Sequence, residues 1–383
     1  MTTSPSHPVV IVGGGVAGLA TARALIAREI PVRVLERRPS PGDGGLAVNL
    51  PGNAVRALEA LGAGQALEQR GHPLKRREYR TASDRVLFEV DEDLFWGARM
   101  RPRGIRRSDL LEILADTLPP GLVEYGVDAA SLHLDDDHVD VRLEDGSSVA
   151  ARAIVGADGV NSFVRRQLFD GMEGAGTAIL ARASWRFMAP NPGVDCWTLW
   201  AGSEGLILLM PVGAGEVYGW AAVTRGGSAD DGSSQLDMLS RAFPERVRRT
   251  VMAGVASGTL YHSPLEEVRL STWANGRSAV IGDAAHSMSP VWAQGVALAL
   301  EDAVTMAACL HREPDVAKAF ADFQLVRRPV VDHVQRMTDV MSKAANLPAF
   351  LRNLAMPYVG PRRYRQTYLP LKYGFLGLKD MHD

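Results

Sequence analysis

The chain has 383 residues, a formal net charge of −2 and 46% apolar residues, values typical of a globular protein with two or three domains. This balance of charge gives no indication of nucleic-acid binding or of a polybasic membrane anchor, and acidic residues interrupt the apolar stretch at 278–310, so no membrane insertion is expected. The polar start does not have the pattern of a signal peptide, and Cys196 and Cys309 are too few for a disulfide framework, so we expect a cytoplasmic protein.

The first apolar run, Val9–Val12, predicts a buried parallel strand because no polar residue interrupts it. A glycine turn follows that strand. In this turn, Gly13 would permit a tight bend, Gly15 would let a pyrophosphate approach the backbone, and Gly18 would let the next helix pack closely. The free N–H groups at the start of that helix would hold the phosphates.

The pattern after the glycines predicts a helix over 16–28 and a second strand over 31–35. Glu36 follows this strand, where a carboxylate can accept a hydrogen bond from a ribose hydroxyl. Strand, glycines, helix, strand and acid in this order predict a Rossmann-like unit that binds an ADP-containing cofactor. The alternative is a glycine turn in an α/β protein without a ligand.

Further elements are predicted from periodicity and turn signals. A glycine-rich loop is expected at 41–45, and Ser108 is the expected N-cap of a helix. Pro329 is expected to kink or break another helix, and the tail from Pro357 is expected to pack over the surface. Helices are predicted over 52–61, 109–118, 235–256, 294–310 and 314–343. A pair of strands is predicted over 76–90, and single strands over 122–127, 139–143, from 149 onward, 153–156, 179–188, 197–201, 206–211, 217–224 and 277–281.

Two more motifs place an aspartate directly after an apolar strand. They are the segments 156–159 and 282–286, which carry Asp158 and Asp283. Each alone is also typical of a turn that ends a strand. Together with the first motif, their order and spacing resemble those of the single-component FAD-dependent aromatic hydroxylases, the para-hydroxybenzoate hydroxylase-like or group A flavin monooxygenases, over about residues 8–345.

The resemblance implies an α/β fold in which a Rossmann-like FAD-binding domain is interrupted by an inserted antiparallel β-sheet substrate domain and followed by C-terminal helices. The expected boundaries are 1–75, 106–175 and 273–310 for the FAD-binding domain, 76–105 and 176–272 for the substrate domain, and 311–383 for the C-terminal helices and tail.

The resemblance also implies which residues contact FAD. The expected contacts are Gly13, Gly15, Ala17, Gly18, Glu36 and Arg37 for the ADP half, Arg107 for the linker, Val127 for the adenine, Asp158 for FAD and the nicotinamide donor, Asp283 for the ribityl chain, and Gly295 and Val296 at the start of a helix. The positive end of that helix would face the N1–C2 edge of the flavin, where the reduced ring is anionic. Ala293 departs from the family pattern, which more often has glycine there.

The activity implied by the resemblance is hydroxylation with NADH or NADPH and O2, through a flavin hydroperoxide that transfers one oxygen atom to an aromatic or polyketide-like small molecule. Strand alternation and position in the family pattern suggest the pocket residues Asn49, Met210, Tyr218, Trp220 and Pro290. Asn49 and Tyr218 are the candidate catalytic residues, and His72 or His262 could assist in deprotonating a phenol. No metal site is expected.

Other functions remain open at this point. A FAD-dependent reductase or dehydrogenase of a lipid or pigment, an alkene epoxidase, and a non-catalytic flavoprotein that binds or escorts a ligand would all carry the same cofactor motifs. The sequence has no second G-x-G-x-x-G, which argues against a separate nicotinamide domain, and no nucleophile elbow, which argues against a hydrolase. A monomer or a homodimer is expected.

Overall fold

A computed structural model describes residues 7–42, 46–135, 137–169, 177–213, 215–223, 232–345 and 347–374. The loop predicted at 41–45 and the end of the tail therefore lie partly outside the described residues. The strands are, in chain order, β1 (Val9–Val12), β2 (Val32–Glu36), β3 (Ala47–Leu50), β4 (His72–Pro73), β5 (Arg76–Thr81), β6 (Val86–Asp91), β7 (Arg103–Arg106), β8 (Val123–Tyr125), β9 (Ala129–Leu134), β10 (Val139–Leu143), β11 (Ser148–Ala151), β12 (Ala153–Gly156), β13 (Ala178–Pro190), β14 (Trp197–Ala201), β15 (Gly205–Pro211), β16 (Glu216–Val223), β17 (Tyr261–Glu267), β18 (Ala274–Asn275) and β19 (Ser278–Val280).

The helices connect and cover these strands. They are α1 (Val16–Ile26), α2 (Gly52–Ala60), α3 (Gly64–Arg70), α4 (Glu92–Trp96), α5 (Arg107–Ala115), α6 (Phe163–Phe169), α7 (Gly232–Ser240), α8 (Glu245–Ala256), α9 (Asp283–His286), α10 (Gly295–Arg312), α11 (Val316–Ala345) and α12 (Ala349–Tyr373), with short 3₁₀ turns at Ala98–Met100 and Pro290–Trp292. Among the described helices, none combines the length and the apolar character needed to cross a bilayer. Both cysteines are free and buried.

A six-stranded sheet carries the predicted cofactor motif at its centre. Its order is β18-β19-β12-β1-β2-β8, and all neighbouring pairs are parallel except β18 and β19. All residues of β1 and β12 are buried, as expected for central strands of a parallel sheet. The carboxyl ends of β1, β12 and β19 lie side by side, so the loops that follow these strands meet at one edge of the sheet.

A seven-stranded sheet forms the second layer of the molecule, in the order β17-β13-β16-β15-β14-β5-β6. The prediction of an antiparallel sheet is correct for most pairs but wrong for β5, which runs parallel to β14. This pairing joins segments about 120 residues apart in sequence, and nothing in the local pattern of either strand encodes its direction. One face of the sheet packs against α7 and α8 through Trp185 and Phe187. The other face carries a separate apolar cluster that includes Met188, Met210 and Trp220.

A small antiparallel sheet, β3-β7-β4, lies between the two larger sheets. Gly104 of β7 packs directly on the end of β15, because a Cβ added there would lie 2.5 Å from the Pro211 carbonyl oxygen. Arg107 follows β7 and donates its amide N–H to the Leu46 carbonyl oxygen at 2.7 Å. The small sheet therefore links the carboxyl edge of the parallel sheet to the open face of the seven-stranded sheet.

Several predicted elements differ in detail from the structure. The helix expected to begin after Ser108 begins at Arg107, with Arg106 as its N-cap, and the single helix predicted over 235–256 is two helices, α7 and α8. α11 continues through Pro329 as one helix. The sequence analysis did not predict α3, β9, β17 or α12, and α12 was least expected because it contains three prolines.

A buried carboxylate joins three elements next to the edge where the motifs meet. Asp302 of α10 accepts hydrogen bonds from the Gly282 amide at 3.0 Å, from His286 Nε2 at 2.7 Å and from Arg327 Nε at 2.8 Å. Arg327 also donates to Glu301 at 3.0 Å. The charges of His286 and Arg327 hold the pKa of Asp302 at about 2 against the opposing effect of burial.

We predict that Asp302→Asn lowers the free energy of unfolding by about 3–5 kcal/mol at neutral pH, because it removes one of the two carboxylates that pair with the buried Arg327 guanidinium and leaves only Glu301. In the wild type, the contribution of the charged carboxylate is complete above its ordinary pKa of 3.8 and is lost as the pH falls towards about 2. That contribution is about 2 kcal/mol. Denaturant unfolding between about pH 2 and 7 measures both effects.

The matched control is Asp322→Asn, which removes a partly exposed carboxylate whose partner is Arg312. Its expected cost is below about 1 kcal/mol. Equal losses in the two variants would contradict a special role for Asp302.

Candidate active site

The glycine turn after β1 has the geometry expected for a close backbone approach. Gly13 has a φ of +110°, and a Cβ at Gly18 would lie 1.8 Å from the Gly13 carbonyl oxygen, so α1 can start this close to the turn only with glycine at that position. Gly15, in contrast to Gly18, has almost no neighbouring atoms where a Cβ would be. An added Cβ would meet only the Arg107 guanidinium, at 3.9 Å, which leaves open space above the start of α1.

Glu36 fixes the same turn from the neighbouring strand. Its carboxylate accepts the Gly14 amide at 2.6 Å and the Arg38 amide at 2.9 Å. Its backbone carbonyl accepts the Val127 amide at 3.1 Å. Each carboxylate oxygen keeps a lone pair for a further donor. Among the other predicted contacts, Arg37 is exposed and Ala17 is half-buried.

Arg107 lies between the glycine turn and Asp283. The Asp283 charge acts on its guanidinium, which is also near Gly15, and burial lowers the pKa of Arg107. Within the described part of the chain, its guanidinium makes no hydrogen bond. A half-buried cation without a hydrogen-bonded partner among the described residues is typical of a site for an anionic ligand such as a pyrophosphate.

Asp283, on the other side of Arg107 from the glycine turn, lies next to the start of α10. Asp283 is exposed, and a Cβ at Gly295 would lie 3.8 Å from its Oδ1 atom. Gln294 is the N-cap of α10 and does not cap it with its side chain, which exchanges hydrogen bonds of 3.0 and 3.2 Å with Asn53 instead. The first amides of α10, including those of Gly295 and Val296, are therefore left for a ligand.

Asp158 has a structural role that the sequence analysis missed. Its carboxylate accepts the Ser162 hydroxyl and the amides of Phe163 and Val164, at 2.5, 2.6 and 3.1 Å. These hydrogen bonds complete the start of α6. Burial nevertheless raises the pKa of Asp158. Both oxygens are already engaged, so the contact with FAD or the nicotinamide donor stays a prediction.

Asn49 of β3 is the clearest orphaned group near the small sheet. The side chain is buried, and neither its Oδ1 nor its Nδ2 atom has a hydrogen-bond partner among the described residues. In the sheet register, Asn49 and His72 both lie opposite Gly104, so the three share one face. A Cβ at Gly104 would lie 3.3 Å from Cε of Met210, which places Asn49 next to the open face of the seven-stranded sheet. Burial and Arg103 lower the pKa of His72, which favours its neutral form.

Tyr218 and Trp220 lie on that open face, as strand alternation predicts. Tyr218 is opposite Met210 on one side and Met188 on the other, and Trp220 is opposite Arg186. Burial raises the pKa of Tyr218, and the neighbouring Arg186 guanidinium opposes that rise. The Trp220 indole N–H has no partner among the described residues.

Arg186 is a functional candidate that the sequence analysis missed. It donates to the Ser263 hydroxyl at 2.9 Å, and no carboxylate of the described residues forms an ion pair with it. The signal was available in the alternation of residues 184–188, because Arg186 and Met188 share a face. His262, in contrast, stacks on Trp185, which belongs to the cluster on the opposite face.

Pro290 is exposed and begins the 3₁₀ turn that leads into α10. Tyr368 of α12 donates its hydroxyl to the Trp292 carbonyl oxygen at 2.5 Å, so α12 fixes this turn. A surface group of Asp135, His138 and Asp140 offers ligand atoms within 4.8 Å of one another. Exposed acidic groups of this kind are common without an ion, and the absence of a metal site stays a prediction.

Ala293 adopts the left-handed conformation, with φ 53° and ψ 34°. This conformation costs a residue with a Cβ about 1 kcal/mol and explains why glycine suits the position.

We predict that Ala293→Gly leaves the free energy of unfolding unchanged or raises it by up to about 1 kcal/mol, since relief of the strain offsets the entropy cost of glycine. Ala297→Gly, a control within α10, should instead lower it by about 1 kcal/mol or more. Similar losses in both variants, measured by thermal or denaturant unfolding, would rule out strain at Ala293.

Comparison with known proteins places this geometry in a family. The profile of the FAD binding domain family matches residues 6–317. The chain is 30% identical to a 3-amino-4-hydroxybenzoate 2-monooxygenase of Streptomyces cremeus, over 89% of this chain and 88% of that protein. It is 28% identical to a FAD-dependent urate hydroxylase of Klebsiella pneumoniae, over 88% of each chain.

The fold is also shared with solved structures. Klebsiella pneumoniae HpxO, crystallised with FAD and uric acid, superposes with a TM-score of 0.87 over 97% of this chain and 98% of that one, at 24% identity. The predicted fold class and family resemblance are confirmed. The chain therefore belongs to the para-hydroxybenzoate hydroxylase-like family of FAD-dependent aromatic monooxygenases.

Proposed function

We propose that this flavoprotein hydroxylates a small aromatic compound held between β3 and the open face of the seven-stranded sheet. The buried, unpartnered amide of Asn49 is the observation that carries the proposal. An amide with no hydrogen bond in the interior is costly, and a substrate with a polar ring substituent would satisfy it.

The residues at the edge of the parallel sheet fit FAD. The open space at Gly15 and the Arg107 guanidinium suit its pyrophosphate, and the carboxylate of Glu36 suits the ribose of its ADP half. Arg37 and the carbonyl of Val127 would lie beside the adenosine, and Asp283 would bind the ribityl chain. When bound, FAD accepts the hydride and activates oxygen.

The start of α10 would act on the flavin ring electrostatically. The amides of Gly295 and Val296 and the positive end of an 18-residue helix favour negative charge at this point. The network around Asp302 would hold those amides in place, because it ties α10 to the turn that carries Asp283. The network would thus position these amides without any change in the charge of the residues that form it.

On the substrate side, three polar groups are proposed to orient the ring. The Asn49 amide and the Tyr218 hydroxyl can each donate or accept a hydrogen bond, and Arg186 can pair with an acidic substituent. Met210 and Trp220 supply apolar walls that exclude water from the reacting atoms. A small aromatic ring with a carboxylate, amino or hydroxyl substituent matches this combination.

Localisation in the cytoplasm and a monomeric or homodimeric state stay predictions. So does the choice between NADH and NADPH. Comparing the two donors in a steady-state assay would identify the preferred one.

The FAD site is tested with Arg107→Ala. Removal of the guanidinium should raise the Kd of the apoprotein for FAD about 10- to 100-fold, since charge-assisted hydrogen bonds to a phosphate contribute about 1.5–3 kcal/mol. Quenching of flavin fluorescence measures the change. Arg99→Ala, which removes an exposed arginine paired with Glu59, should leave the Kd unaltered. Equal effects of the two substitutions would refute the assignment of Arg107.

The substrate pocket is tested with a set of hydroxy- and aminobenzoates under ¹⁸O2. The expected result is substrate-stimulated NAD(P)H consumption and a product that carries one labelled oxygen atom. Asn49→Ala should lower kcat/KM about tenfold or more and increase NAD(P)H consumption without product, whereas Asn161→Ala, at an exposed position, should not.

Three other outcomes would favour the alternatives. NAD(P)H consumption without oxygen incorporation indicates a reductase or dehydrogenase, and an epoxide product from an alkene indicates an epoxidase. No stimulation by any compound of the set indicates a flavin-bound binding protein.

A further inference from the structure

The outward side of α12 is unusually apolar. Phe350 and Leu354 are each 72% exposed and Tyr358 is 77% exposed. These three residues are four positions apart, so they lie along one side of the helix. Seven of the fourteen exposed large apolar side chains in the described residues lie between 347 and 373. Clustering of this kind marks a surface that something covers.

The inward side of α12 is already occupied. Tyr364, Tyr368 and Leu371 are buried against the rest of the protein, and Tyr368 holds the turn before α10. A helix that is apolar on both sides is normally buried on both sides. Packing against the described residues therefore does not explain the exposed stripe.

The charge of α12 differs from that of the whole chain. The helix contains Arg352, Arg362, Arg363, Arg365 and Lys372 and no acidic residue, whereas the complete chain has a net charge of −2. Arg362 and Arg365 are exposed. Arg362 follows Tyr358 by four positions and so extends the apolar stripe.

We propose that α12 lies on the surface of an anionic lipid bilayer, with Phe350, Leu354 and Tyr358 in the interface and Arg362 and Arg365 at the lipid phosphates. Apolar side chains beside exposed basic ones are the combination that binds such surfaces. Pairing with a second copy of the chain through this face is disfavoured, because it would bring two acid-free basic helices together. The helix would lie on the membrane and not cross it.

A cavity lies between α12 and the turn at Pro290–Trp292. It has a volume of about 100 Å³ and is lined on the α12 side by Met356, Val359 and Gly360 and on the opposite side by Trp292. Val359 is 42% exposed, so the edge of the cavity reaches the protein surface beside α12.

The test uses the full-length, FAD-loaded protein and co-sedimentation with vesicles. Binding is expected to vesicles of about three parts phosphatidylcholine to one part phosphatidylglycerol, and much weaker binding to phosphatidylcholine alone. Raising the salt from about 0.05 to 0.5 M should reduce the binding, because the charges are screened.

Two variants separate the apolar and the charged contributions. Phe350→Ser/Leu354→Ser/Tyr358→Ser and Arg362→Glu/Arg365→Glu should each lower the vesicle partition coefficient about tenfold or more. The matched control, Met238→Ser/Arg249→Glu, changes an exposed apolar and an exposed basic residue on α7 and α8 and should bind like the wild type. FAD content and NAD(P)H oxidation in solution should be unchanged in all three.

Three outcomes would overturn the proposal. They are no binding to anionic vesicles, equal binding by the α12 variants and the control, and a concentration-dependent dimer that the triple serine variant abolishes while vesicles have no effect. The last result would assign the face to a second copy of the chain.

Discussion

The candidate site depends on one buried carboxylate. Asp302 accepts hydrogen bonds from the turn that carries Asp283, from His286 and from Arg327, and it does so from within the helix whose start faces the expected flavin ring. Because one side chain serves three elements, the turn that carries Asp283 and the start of α10 cannot move independently. The Asp302 carboxylate therefore fixes the proposed flavin-binding groups through hydrogen bonds within the protein.

The features predicted correctly from the sequence are those that depend on neighbouring residues in the chain. The turn after β1, the two aspartate motifs and most central strands follow from glycine positions and uninterrupted apolar runs, and the structure brings them to one edge. The parallel pairing of β5 with β14 and the helix α12 were not predictable in this way. The first is a long-range choice of direction, and the second overrides three prolines because its tyrosines are buried in a polar network with Glu92, Arg77 and Trp96.

The predicted polar residues differ in whether the hydrogen-bonding groups of their side chains already have partners within the protein. Asp158 is fully used by the start of α6, although its motif resembles a cofactor contact. Asn49, by contrast, has both amide atoms without partners in the described residues. Residue type and position could not separate these cases, because satisfaction depends on the three-dimensional neighbours of each group. Alternation could have placed Arg186 on the open face, but only the three-dimensional structure shows that no carboxylate of the described residues forms an ion pair with it.

β7 gives the active site a fixed internal spacing. Gly104 lies beside the proposed substrate pocket, and Arg107 lies beside the proposed FAD site. The same short, hydrogen-bonded stretch of backbone carries both residues, about 10 Å apart. A strand of this kind is too stiff to absorb displacement at one end. If the substrate packs on Gly104 and the Arg107 guanidinium binds the FAD pyrophosphate, as proposed, a larger ring at Gly104 would displace both, so tolerance for bulkier rings would have to arise from the side chains of the seven-stranded sheet.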